Sequence, residues 1–311
     1  MTNFTAPSSG VGASTACDSK IQCCAPGNLI VHVRENTATG SVIRDATVTI
    51  SGSENAKNIT DATDKAEFKN IKPGSYTVTA RKDLYTPDPE SNNAEVPSGG
   101  TEEITLVLKP IAEMHMLVGG PYTKDGEEHR YGHTALRIKT SSSDTTYDFG
   151  RYGATRGTFG ESGDGILRVW SNFSTYIKGE KALKRVTTGF VYQITEDQAK
   201  TVNDYFRRMT IAGINIPDKE REGMKVYKLV TDYHALGPNC TTLSLDGAKQ
   251  AIANIDSGSA NFNKPEDVLT RTERVALSLK GGSPRLFLPA NLQTFLSSGS
   301  SPVTTIRVDA Y

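Results

Sequence analysis

The chain has 311 residues, with 35 Lys and Arg balanced by 35 Asp and Glu for a formal net charge of zero, and a mean hydropathy of -0.41. This excludes the basic excess of a nucleic-acid binder, and no apolar run reaches the roughly 18 residues of a transmembrane segment. At roughly 150 residues per domain the length suggests two domains.

Residues 1–26 read as a flexible lead-in, because Thr5 to Thr15 is mostly small and polar and cannot bury enough surface to offset chain entropy. Met1 to Ala16 also lacks the basic start and apolar core of a Sec signal. Of the four cysteines, Cys17, Cys23 and Cys24 fall in this lead-in. Without C-x-x-C spacing or a second ligand pair they are expected to be plain thiols, with no metal or cofactor implied. From Asn28 the pattern becomes period two: Leu29, Val31 and Val33, then Ala46, Val48 and Ile50, then Tyr76, Val78 and Ala80, then Ile104, Leu106 and Leu108. Thr39-Gly40, Ser51-Gly52-Ser53, Pro73-Gly74-Ser75 and Ser98-Gly99-Gly100 separate the runs. Short strands with such turns predict a small β-sandwich over 27–110.

Asp45 to Ile50, Thr60 to Phe68 and Ile71 to Val78 together resemble the carboxypeptidase regulatory-like (transthyretin-like) sandwich. Asp64 stands where that family usually has glycine, and Asp tolerates left-handed backbone better than most residues. The resemblance implies a binding, spacer or docking module without catalytic residues, in which His32 is an ordinary strand residue.

After Lys109-Pro110, residues 111–311 are mixed. Strands are expected at Glu113–Val118, His133–Lys139, Thr145–Phe149, Thr188–Ile194 and Lys225–Thr231. Thr195-Glu196-Asp197-Gln198 is a capping box opening a helix with Ala199, Val202, Phe206 and Met209 on one face. A second helix begins near Asn239; Pro265–Ser278 reads as helical and Val303–Val308 as a last strand. The fold class is α+β.

Cys240 follows Leu236-Gly237-Pro238-Asn239, with Asn239 as N-cap. That places the thiol in the first helical turn, where unsatisfied amides and the helix dipole favour a thiolate. The same amides, around Asn239 and Thr241, suit an oxyanion. In Gly132-His133-Thr134-Ala135-Leu136-Arg137-Ile138 the apolar face carries Leu136 and Ile138, so His133 points to the other, expected to be a polar surface or cleft. A hairpin to Thr145–Phe149 puts Asp148 on that side. A turn centred between Thr140 and Ser141 sets Asp148 opposite His133; one centred between Ser142 and Ser143 sets it opposite Arg137, as a salt-bridge partner. In the first register thiol, imidazole and carboxylate meet as nucleophile, base and orienter.

The order His133 then Cys240, with Tyr147-Asp148-Phe149-Gly150 and Asn239-Cys240-Thr241-Thr242, resembles the circularly permuted papain-like fold. That group includes lecithin:retinol acyltransferase-like enzymes, PPPDE peptidases and permuted relatives of NlpC-type endopeptidases. Thr241 departs from the N-C-E or N-C-N usual in the first two. The resemblance implies a thiol hydrolase whose catalytic residues are Cys240, His133 and Asp148. With the missing export signal it further implies a type VI-like bacterial effector, cytoplasmic in its producer and acting in a target periplasm. Peptidoglycan peptides are the first substrate expected, then lipid acyl esters or protein isopeptides, with a secretion-apparatus or immunity protein as partner. The rival class is a non-enzymatic adaptor or adhesin-like protein.

Other candidates point to structure. His115 lies in an apolar strand, and His129 and His234 lie in loops. Gly160-Glu161-Ser162-Gly163-Asp164-Gly165 reads as a lid-like turn. Trp170, Phe173 and Tyr176, spaced by three, read as core.

Overall fold

The computed structural model describes residues 25–124, 127–157, 161–279, 281, 283 and 285–311. Cys17, Cys23, Cys24 and Gly160 lie outside them. The chain divides into two compact units between Pro110 and Ile111.

Alternation dictates the first unit. Leu29, Val31 and Val33 are fully buried on β1 (Gly27–Glu35), while their neighbours face outward. The other strands are β2 (Thr47–Gly52), β3 (Ala56–Ile59), β4 (Lys65–Ile71), β5 (Gly74–Arg81), β6 (Tyr85–Pro87), β7 (Asn92–Val96) and β8 (Thr101–Pro110). They form two four-stranded sheets, β4-β1-β8-β6 and β3-β2-β5-β7, with one apolar core that includes Val31, Val48, Val78 and Leu108. Asp64 adopts the left-handed conformation, φ 71°. Its buried carboxylate takes a 2.8 Å bond with His32 and an ion pair with Arg34. His32 is thus tied into the sandwich by Asp64, and by Glu103 on its other nitrogen.

The second unit begins with β9 (Ala112–Gly119), β10 (Tyr122–Lys124), β11 (Glu127–His129), β12 (His133–Lys139), β13 (Asp144–Gly150), β14 (Thr155–Arg156), β15 (Ser162–Gly163) and β16 (Ile166–Trp170). It continues with β17 (Thr187–Ile194), β18 (Ile214–Asn215), β19 (Met224–Lys228), β20 (Tyr233–His234) and β21 (Arg307–Ala310). Its helices are α1 (Phe173–Ala182), α2 (Glu196–Ala212), α3 (Cys240–Ala248), α4 (Arg271–Leu279) and α5 (Pro289–Ser297). An eight-stranded antiparallel sheet, β18-β19-β16-β13-β12-β9-β17-β21, is the framework. One face buries Met116, Leu136 and Tyr147 against Phe206 of α2, Leu243 of α3 and Phe295 of α5. The other buries Leu117, Ala135 and Ile166 against Tyr176 and Ile177 of α1. With β-strands dominant and helices on both faces, the molecule is β-rich and of the α+β class.

The Thr195 capping box closes on α2, with Gln198 N to Thr195 Oγ1 at 3.1 Å and Thr195 N to Gln198 Oε1 at 2.9 Å. Three boundaries differ from expectation. The strand expected to reach Thr231 stops at Lys228, where its partner β16 ends at Ile166. The helix expected from Pro265 starts at Arg271, because Thr270 and Glu273 bond reciprocally and fix its N-terminus there. The last strand shifts to Arg307–Ala310, opposite Val191–Thr188. Among the described residues no helix is long and apolar enough to cross a membrane.

Candidate active site

The hairpin register follows from its turn. Thr140 N donates to Ser143 O at 2.8 Å, and Thr140 Oγ1 accepts from the amides of Ser142 and Ser143 at 3.2 and 2.9 Å. Only Ser141 and Ser142 are left at the tip, so Asp148 pairs with Ala135. Neither register considered from the sequence occurs. Asp148 is instead the diagonal neighbour of His133 on the same face, within side-chain reach. His133 Nε2 and Asp148 Oδ1 are 2.6 Å apart. Arg137 takes a bidentate pair with Asp144, at 2.7 and 2.6 Å, rather than with Asp148.

Of the polar surface or cleft expected on this sheet face, the open surface does not occur; the pair is buried beside Cys240, which lines a cleft. His133 and Asp148 are 9% and 3% exposed, and Arg137 is 7% exposed. Part of this face is covered by α1, with the Arg137 guanidinium 3.7 Å from the Phe173 ring centre. Gly132 delivers His133 to the strand end with φ 71°, a conformation that penalises any residue with a Cβ.

Cys240 is the first residue of α3. Asn239 caps the helix, accepting from Thr242 N at 3.0 Å while Thr242 Oγ1 accepts from Asn239 N at 2.9 Å. The Asn239 amide group also donates to Ala235 O at 2.7 Å and Phe287 O at 3.0 Å. Its side chain is therefore used up in fixing the helix start, which removes it as an oxyanion donor. The Thr241 hydroxyl is engaged too, 3.1 Å from Thr134 Oγ1. What suits an oxyanion here is the backbone of the first helical turn, whose amides precede the intrahelical bonds.

The Cys240 sulfur lies close enough to the His133 side chain and the Thr134 amide for both to act on its charge, and close to the Tyr233 hydroxyl. Because Nε2 of His133 is held by Asp148, Nδ1 is the nitrogen left for sulfur. Burial alone pulls the His133 pKa down, but the charge and hydrogen bond of Asp148, aided by Cys240, raise it to about 10. Burial pushes Asp148 up, and His133, Arg168 and Tyr152 hold it down at about 2. Burial likewise raises the thiol, yet His133, the Thr134 amide and the Thr241 hydroxyl bring Cys240 below its ordinary value. The two shifts, Cys240 down and His133 up, both run toward a thiolate–imidazolium pair.

Several groups of this site escaped the sequence reading. The Tyr152 hydroxyl donates to Asp148 Oδ1 at 2.6 Å and lies 3.4 Å from His133 Nε2. The Arg168 guanidinium lies 3.2 Å from the Tyr152 ring centre and 4.0 Å from Asp148 Oδ2. Gly150 permits this fold-back, since a Cβ there would come within 2.8 Å of the Tyr152 ring. That glycine, between an acid and a tyrosine, was the one available signal.

Cys240 opens onto a cleft of about 110 Å3. Leu236, Leu269, Leu277, Phe287, Leu288 and Pro289 form its apolar lining, and Tyr233, Arg151, Glu161 and Glu273 its main polar one. His234 lines it as well, its Nδ1 accepting from Leu236 N at 3.2 Å. The segment expected to be a lid instead contributes β15, paired with β14 and β20. Trp170 is core, 8% exposed against Tyr176, at the end of β16. His115 is fully buried and bonds Glu113 Oε2 at 3.0 Å. Among the described residues no His, Cys, Asp and Glu side chains gather in threes to hold a metal.

No known family model matches the sequence, and no curated protein does. Solved structures with partial likeness include the minor pilin GBS52 of Streptococcus agalactiae, 12% identical over 28% of this chain and 45% of that one, TM-score 0.23. The TIE protein of Bacillus anthracis is 17% identical over 40% and 28%, TM-score 0.28. The major pilin SpaD of Corynebacterium diphtheriae is 11% identical over 49% and 44%, TM-score 0.26. The chain spans less than half the length of each.

Proposed function

We propose that the second unit is a thiol hydrolase of permuted papain-like type. The observation that carries this is the buried relay in which Asp148 holds one nitrogen of His133 while the other side of the ring meets Cys240 at a helix N-terminus. The Cys240 thiolate attacks a carbonyl carbon, forming a C–S bond, and the oxyanion is met by the first-turn amides. His133 passes its proton to the departing amine or alcohol. It then takes a proton from water, whose oxygen displaces the thiolate and releases the acid. Asp148 keeps the ring oriented throughout and stabilises its charged form.

Peptidoglycan peptides remain the first substrate class on analogy with the permuted NlpC-type enzymes, and with them an effector role in a target periplasm. The apolar lining of the cleft favours a second reading, an ester or amide of an apolar acyl group. The transthyretin-like unit would then serve docking to a delivery apparatus or partner.

The test is iodoacetamide labelling against pH, with peptide mapping. Cys240 is expected to label well below the ordinary thiol range near pH 8.5, and to lose that advantage in His133→Ala. Labelling only at alkaline pH, regardless of His133, would leave the non-enzymatic adaptor reading. Toxicity confined to periplasmic expression and absent in Cys240→Ala would support the cell-wall role; equal toxicity of the alanine variant would refute it.

A further inference from the structure

Beside Cys240 the cleft carries one cation that the relay does not use. Arg151 lines it with Tyr233, three residues after Asp148 and next to Tyr152. Its Nη1 is shut off from solvent and has no hydrogen-bond partner among the described residues. A buried guanidinium N–H left unpaired is costly, and such groups in folded proteins call for an explanation. The other arginine nearby, Arg168, is occupied with Tyr152 and Asp148. The carboxylates of the lining do not answer the vacancy. Glu273 accepts from Tyr131, Arg130 and Thr270, and no bond joins Glu161 to the Arg151 Nη1.

We infer that Arg151 is an anion-binding subsite of this cleft, taking the carboxylate or phosphate of an otherwise apolar acyl substrate whose scissile carbonyl meets Cys240. The chemistry fits: a planar guanidinium presents paired donors matched to a carboxylate or phosphate, and the remaining lining is largely apolar. The charge of Arg151 also reaches Tyr233, whose hydroxyl touches the sulfur, so the anion would sit one side chain from the nucleophile. The inference deepens the hydrolase reading and rests on it.

Three methanethiosulfonates of one reactive head test it, bearing an ethylsulfonate, an ethyltrimethylammonium or a methyl group. In each the Cys240 thiolate attacks the sulfenyl sulfur, a new S–S bond forms, and methanesulfinate departs with the bonding electrons. The anionic-to-cationic rate ratio is expected to fall about tenfold in Arg151→Gln, the worth of one nearby charge at intermediate dielectric. It should recover largely in Arg151→Lys, with the neutral reagent's rate in each variant used to correct for any general change in thiolate reactivity. A ratio that Arg151→Gln leaves as it was overturns the subsite. Decanoate and decyl phosphate as competitors separate the two anions: the one that slows the anionic reagent in the parent protein but not in Arg151→Gln identifies the class. If neither does, the subsite is refuted. The neutral reagent reports separately on the hydrolase reading, which fails if Cys240 reacts no faster than an ordinary thiol at pH 6, whatever the charge ratio.

Discussion

His133 and His115 lie on the same face of one sheet, and each bonds a buried carboxylate. Gly119 pairs with His133 and His115 pairs with Arg137, so the two imidazoles are about 13 Å apart along the strands. What differs is the third partner. Beyond His133 stands a thiol, and its carboxylate raises the imidazole pKa. Beyond His115 stand Arg137 and Arg307; burial, reinforced by their charge, outweighs Glu113 and lowers it. Glu113 in turn is tied to Arg307 at 2.8 Å and held well below the usual carboxylate range. Tyr311 closes that cluster, its hydroxyl 3.4 Å from His115 Nδ1 and 3.1 Å from Asp309. An imidazole–carboxylate pair is thus not a catalytic signature by itself; what sets His133 apart is the thiol and the cleft beside it.

Neutralising each carboxylate should separate the sites most sharply. Asp148→Asn is expected to lower kcat/KM by about 100-fold or more. It should also move the alkaline limb of the pH profile down, since His133 then gives up its proton at lower pH. Glu113→Gln should leave kcat/KM within about threefold and lower Tm by ~2–5 °C. Equal losses of activity at both positions would erase the contrast. The tyrosines give a smaller effect: Tyr152→Phe removes a bond to a charged acceptor and should cost roughly three- to tenfold in kcat/KM, whereas Tyr311→Phe should cost none.

The smallest effect concerns stability against pH, and its sign differs between the sites. For His133, raised on folding, the stabilisation is fully present below the unfolded value of 6.5 and fades as pH rises toward about 10. For His115, lowered on folding, it is present above 6.5 and fades as pH falls below that value. Melting curves from pH 5 to 10 should therefore show His133→Ala flattening the alkaline side and His115→Gln the acid side. The same change of slope in both variants would sink the assignment of charge states.

The sandwich was legible because its strands alternate and its turns carry glycine at Gly52, Gly74 and Gly99. The Cys240 helix was legible from Asn239, and His133 from its place on a strand. The register was not, because three serines in a row, Ser141 to Ser143, offer no single turn, and the choice fell to the hydroxyl of Thr140. Burial of the polar face was hidden for a related reason: α1 begins at an inconspicuous cap, Asn172, which accepts from Thr175 N at 3.3 Å. Tyr152, Tyr233 and Arg151 reach the site through tertiary packing, which local periodicity does not encode. Pro289 at the start of α5 was a signal the sequence offered and the reading passed over.

The bond from Asn239 to the Phe287 carbonyl has a consequence for how the protein is made. Phe287 is synthesised 47 residues after the nucleophile, yet it steadies the turn from which the sulfur projects and supplies part of the wall before it. A nascent or clipped chain ending short of that point would hold every member of the relay but lack the brace. The turn that carries the sulfur is in this way completed only by a residue that leaves the ribosome well after it.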